Sequence, residues 1–99
     1  MRGSLLVTRD GMVIVADVDA GVEDERIAAM AATLTARTAE CLGKMGRGRL
    51  VQAMLTAADG KVFISDAEKG ILVAVTGNDV NVGLVRLEMR AAAERFQKL

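Results

Sequence analysis

The 99-residue chain contains no histidine, tyrosine, tryptophan or proline, only two phenylalanines, and a single cysteine. Each shortage excludes something. Without histidine or tyrosine, two of the side chains that most often transfer protons in an active site are missing. No Cys-x-x-Cys, no phosphate-cradling Gly-x4-Gly-Lys-Ser/Thr and no acidic cluster at metal-ligand spacing occurs, so no catalytic residue, cofactor or metal is expected. Two aromatics offer almost no stacking surface, and with a formal net charge of zero and no basic run, nucleic acid is not the expected partner. A lone Cys41 allows no disulfide framework and points to a reducing, cytoplasmic setting. No apolar run approaches the length of a membrane span. The opening MRGSLLVTRDG lacks the extended apolar region and cleavage pattern of a signal peptide.

What is present is aliphatic. Hydrophobic residues make up 52% and charged residues 26%, a composition that folds rather than staying disordered. With Phe63 and Phe96 as the only aromatics, the core is built from Val, Ile, Leu, Ala and six adaptable methionines. A single domain over 1–99 is expected, and a short chain buries a modest fraction of its surface. So high an apolar content implies that a partner covers part of it.

The stretch Val22–Met45 organises the rest. It is long enough for about six helical turns, has no glycine before Gly43, and is dominated by good helix formers. At roughly 100° per residue three stripes separate. Ile27, Met30, Ala31, Leu34, Cys41, Leu42 and Met45, with Thr38 among them, form a bulky stripe that is expected to face a sheet and bury Cys41 as an inert core residue. Ala28, Ala29, Ala32, Ala36, Ala39 and Gly43 form a stripe of small residues, suited to close approach of another helix. Arg26, Thr33, Arg37, Glu40 and Lys44 form the polar stripe. Glu23, Asp24 and Glu25 fall in the first turn, where the helix dipole favours acids, and Asp19 or a neighbour is the expected N-cap.

Around this helix the pattern is β-type. Leu5–Thr8 and Met12–Val18 flank Asp10-Gly11 and read as a hairpin. Asp17 to Gly21, with Ala20, leads into the helix, and the glycines from Gly43 to Gly48 offer a left-handed stop. Arg49–Thr56, Lys61–Ser65 and Ile71–Thr76, joined by Ala58-Asp59-Gly60 and by a turn through Glu68, read as an antiparallel meander. The Gly77–Asn81 loop holds several N-cap residues for a second helix, Val82–Lys98. There Leu84, Leu87 and Ala91 line one side, and Val85, Met89, Ala92 and Phe96 the neighbouring side. The expected fold is α+β: one five-stranded antiparallel sheet with helices packed on it, in the order β-β-α-β-β-β-α.

The chain resembles a Roadblock/LC7 domain, of the prokaryotic, MglB-like branch that partners Ras-like small GTPases. The carriers are Leu5-Leu6-Val7-Thr8-Arg9-Asp10-Gly11-Met12-Val13-Ile14, then Glu25-Arg26-Ile27-Ala28-Ala29-Met30-Ala31-Ala32, and above all Asn81-Val82-Gly83-Leu84-Val85-Arg86-Leu87. The resemblance implies a profilin-like layered architecture and a homodimer. In that dimer the central helices meet and the third strands pair across the two-fold axis into a ten-stranded sheet. One departure stands out: members of this family usually carry a helix before the first strand, and the sequence here starts almost at that strand, with the usual N-terminal helix missing from it.

Combined with the stripes, this places Ala28, Ala32, Ala36 and Ala39 in the dimer seam, together with Val51 and Ala53 of the third strand. Arg26, Thr33, Arg37, Glu40 and Lys44 become the candidates for contact with the GTPase. The implied role is regulatory and non-enzymatic, with the GTPase supplying nucleotide, Mg²⁺ and chemistry. Arg26, Arg37, Arg47, Arg49 and Arg86 are the conceivable arginine-finger donors, although Gly46-Arg47-Gly48-Arg49 reads better as a polar connection. The rival readings are a structural adaptor, a small-ligand sensor domain, and a heterodimer with a paralogue.

Overall fold

The computed structural model describes residues 3–19, 21–67 and 69–97, with side chains described through Arg95. Ala20, Glu68 and Lys98, and the side chain of Phe96, lie outside the described residues. The elements are β1 (Gly3–Val7), β2 (Val13–Val18), α1 (Asp24–Lys44), β3 (Gln52–Ala57), β4 (Gly60–Asp66), β5 (Ile71–Thr76) and α2 (Val82–Gln97), in the order expected from the sequence. The strands form one antiparallel sheet in the order β2-β1-β5-β4-β3.

The β1–β2 hairpin closes where Asp10-Gly11 requires it. Gly11 takes φ 93°, open to glycine without strain, and its N–H donates to the Thr8 carbonyl at 3.0 Å. The Thr8 hydroxyl accepts the Met12 N–H at 2.9 Å and pairs with Asp10. Register shifts between Leu6 and Val7, so that Val7 pairs Val13 while Leu6 pairs Val15. Both Arg9 guanidinium ends reach the Asp66 carboxylate, tying this hairpin to the end of β4.

α1 ends in a full left-handed cap. Gly46, at φ 72°, donates to the Gly43 carbonyl at 3.1 Å, and Arg47 donates to that of Leu42 at 2.9 Å. At its other end Glu23 occupies the N-cap position without a side-chain bond, while the Asp24 carboxylate accepts the Glu25 N–H at 2.8 Å. Asp19 acts earlier, its carbonyl accepting the N–H of Val22. For α2 the cap is Asn81, whose side chain accepts the Leu84 N–H at 3.0 Å.

Alternation along the strands sends two cores to opposite faces. On one face Leu5, Val7, Ile64, Ile71 and Val73 pack against Ala28, Ala31 and Ala32 of α1. On the other, Phe63 and Ala74 pack against Val85 and Met89 of α2. Burying a side chain such as Phe63 contributes about 1.5–3 kcal/mol.

The face of α1 turned to the sheet differs from the expected one. Ala28, Ala31, Ala32 and Thr35 are buried there, with Ala28 0% exposed, while Met30 is 64% exposed and Cys41 is exposed. The helix is thus rotated by about 90° from the bulky-stripe-down orientation, counting roughly 100° per residue. The sheet supplies the volume with Ile64, Ile71 and Val73, so facing positions must be small for the layers to interlock at native density. Likewise on α2 the sheet takes Val85, Met89 and Ala93, leaving Leu84 and Leu87 exposed. β3 starts at Gln52 rather than Arg49, because Gly48 turns at φ 86° and Leu50 dives into the core ahead of the ladder.

The two helices sit diagonally. α1 lies over β2, β1 and β5, while the main strand contact of α2 is β4. Each face therefore has a more open half: β3 and the Val62 end of β4 on the α1 side, Ile64 of β4 being buried, and β1–β2 on the α2 side. No described helix is long and apolar enough to cross a membrane.

Candidate interaction surface

α1 brings the five polar-stripe residues together on its outward face. Arg26, Thr33, Arg37, Glu40 and Lys44 are all exposed. Arg26 Nε pairs with Glu23 at 2.9 Å and Lys44 Nζ with Glu40 at 3.2 Å, within the helix. The Thr33 hydroxyl donates to the Ala29 carbonyl at 3.1 Å. Arg37 sits between these pairs with no ion-pair partner among the described residues. Exposed intrahelical pairs contribute only about 0.3–0.5 kcal/mol, so this face is held ready at little cost in stability. Of the other arginines weighed as donors, Arg47, Arg49 and Arg86 are also exposed, and none of them is part of α1.

The small-residue stripe divides. Ala28 and Ala32 are spent against the sheet and have no surface left for a second helix, which corrects their assignment to a seam between protomers. Ala39 is half-buried and Ala36 exposed. Gly11 of the hairpin lies against Ala29, where an added Cβ would approach the Ala29 Cα to 3.2 Å. That flank of α1 accordingly looks towards β1 and β2. Helix geometry puts Met30, Leu34 and Cys41 on the opposite flank, above the more open half of the sheet.

The more open half ends in an edge. β3 is the last strand of the sheet, and among the described residues no strand pairs with its outer side. Ala53 is half-buried, and Val51 and Leu55 are exposed. An apolar edge this bare is an association site unless something covers it. No periodicity signal in α1 reveals which flank adjoins this edge; the Gly11–Ala29 contact does.

A second concavity of about 780 Å³ lies on the opposite face, between α2 and the β1–β2 half of the sheet. Leu6, Val15 and Leu72 form its floor, and Met89 and Ala92 its wall. Asp17, Glu88 and Arg95 stand at its margin. It is a trough open to solvent, framed by elements that sequence reasoning treated as a covered core.

A five-stranded antiparallel sheet with one helix on each face, and the third strand at an edge beside α1, is the layered α+β architecture expected from the sequence. The Roadblock/LC7 domain profile matches residues 1–76, and the chain belongs to that family. It is 35% identical over 99 residues to the uncharacterized protein MJ1340 of Methanocaldococcus jannaschii, covering 100% of this chain and 87% of the relative. In fold it is similar to MglB of Myxococcus xanthus, with TM-score 0.90 at 19% identity over 98% of this chain and 80% of that one. It is equally similar to a Roadblock/LC7 domain from Streptomyces avermitilis, with TM-score 0.90 at 18% identity over 98% and 82%. The expected family and fold class are both borne out.

Proposed function

We propose that this protein is a homodimeric, non-enzymatic regulator or scaffold that binds a Ras-like small GTPase in the cytoplasm and promotes the partner's GTP hydrolysis. The observation that carries the reading is the outward face of α1, where Arg26, Thr33, Arg37, Glu40 and Lys44 share one exposed surface in a chain of the Roadblock/LC7 family. Mixed charge flanked by apolar Met30 suits the polar rim and apolar centre of a protein interface. The β3 edge supplies the reason to dimerise: pairing with its own copy satisfies the open backbone and makes one ten-stranded sheet. In that arrangement Val51 and Ala53 lie at the seam, with the Met30, Leu34 and Cys41 flank of α1 in place of the alanine stripe; Ala36, about two turns from Ala29, falls on the β1–β2 flank with it. Two copies then present their polar faces side by side as one platform.

Arg37 is the side chain to test, since arginine is enriched among interface hot spots. In calorimetry with a Ras-like GTPase of the same genome, loaded with GTP analogue or GDP, Arg37→Glu is expected to weaken binding by about thirtyfold or more, equivalent to roughly 2 kcal/mol. Sedimentation of the variant alone should match wild type. Unchanged affinity moves the contact off α1, and no binding by wild type in either nucleotide state removes the GTPase reading. Hydrolysis by the GTPase with and without this protein separates activator from adaptor.

A further inference from the structure

We infer that the α2 face is a second self-association surface, on which two copies pack with their α2 helices antiparallel, each helix filling the trough of the other. The trough is apolar at its floor, and the exposed side of the helix beside it carries two leucines among the charged Arg86, Arg90 and Glu94. Leu84 and Leu87 are 53% and 64% exposed, on the flank of α2 that turns away from its own core. A floor and a ridge of matching character within one protomer fit each other in a second copy, not in the first.

The charge pattern selects this occupant. Glu88 and Arg95 are seven residues apart, two helical turns or about 10 Å on the same flank. Neither has an ion-pair partner among the described residues. Midway between them stand Ala91 and Ala92, small enough for two helices to approach closely. A two-fold axis through that midpoint sets Glu88 of each copy against Arg95 of the other. An isologous contact requires this relation: if one position faces a second, the second faces the first. The same axis carries Leu87 of each copy over Leu6, Val15 and Leu72 of the other. The product is a sandwich of two sheets with two shared helices between them. It lies on the opposite face from the α1 surface and does not depend on the GTPase reading or on pairing through β3.

Charge exchange tests it. Sedimentation equilibrium of the whole chain is run at matched concentration for wild type, Glu88→Arg, Arg95→Glu and the double variant. Each single reversal sets like charges against each other twice across the axis, and is expected to lower the weight-average mass by at least half. The double reversal rebuilds both pairs and is expected to restore the wild-type mass. Leu87→Glu, at a position exposed in the protomer, is expected to lower the mass without loss of helical circular dichroism. Singles that keep the wild-type mass, or a double variant no better than the singles, overturn the proposal, including the case in which a different protein occupies the trough. If instead the β3 seam alone is absent, wild type is smaller but the pattern of loss and rescue is retained.

Discussion

Among the described residues, the Thr35 hydroxyl is buried without a hydrogen-bond partner, on the face of α1 pressed against the sheet. A buried hydroxyl that has lost water and gained nothing costs about 1–3 kcal/mol. Thr35→Val keeps the shape and removes that cost, so the variant is expected to be more stable by about 1 kcal/mol, read as a higher urea midpoint at unchanged slope. Cys41 carries the opposite lesson. It was grouped with the bulky stripe and expected in the core, yet it is exposed, because the sheet admits alanines and a threonine where the larger residues would not fit. Residue type alone ranks cysteine among the most buried residues; the facing volumes of Ile64, Ile71 and Val73 decide otherwise.

At the scale of elements, helix ends were the most legible part of the sequence. Gly46 supplies the left-handed residue that closes α1, and Asn81 the side chain that opens α2. Placing a Cβ in the left-handed region costs roughly 1–2 kcal/mol. Nothing lies within 4 Å of the Cβ position at Gly46, so Gly46→Ala tests backbone conformation alone. It is expected to destabilise by about 1 kcal/mol, seen as a lower thermal midpoint followed by circular dichroism at 222 nm. Asp19 was the weaker guess, because several acids crowd the start of α1 and only geometry separates a turn former from a cap. Strand boundaries slipped for a similar reason: Arg49 to Val51 carry β-type character, but Leu50 is used as a core plug rather than a ladder residue.

For the whole molecule, the diagonal placement of the helices sets where other chains can bind. Ala32→Glu does not test the α1 seam. With Ala32 in the core, that change would unfold the protomer and report nothing about assembly. Met30→Glu is the informative substitution, since Met30 is exposed in the protomer and stands on the flank above the open half of the sheet. A carboxylate desolvated near a two-fold axis costs several kcal/mol. The variant is expected to raise the dissociation constant of the α1–β3 dimer by about a hundredfold or more, measured by sedimentation over a concentration series. A variant that dimerises as wild type does would remove Met30 from the seam. The amino-acid order determined the elements, their sequence along the chain and the polar stripe of α1, because periodicity, turn chemistry and capping are local properties. Which arc of each helix meets the sheet, and hence which apolar residues remain exposed, was decided only by tertiary packing. Two adjacent apolar arcs on one helix are equivalent in a periodicity count, and only the volumes waiting on the sheet distinguish them.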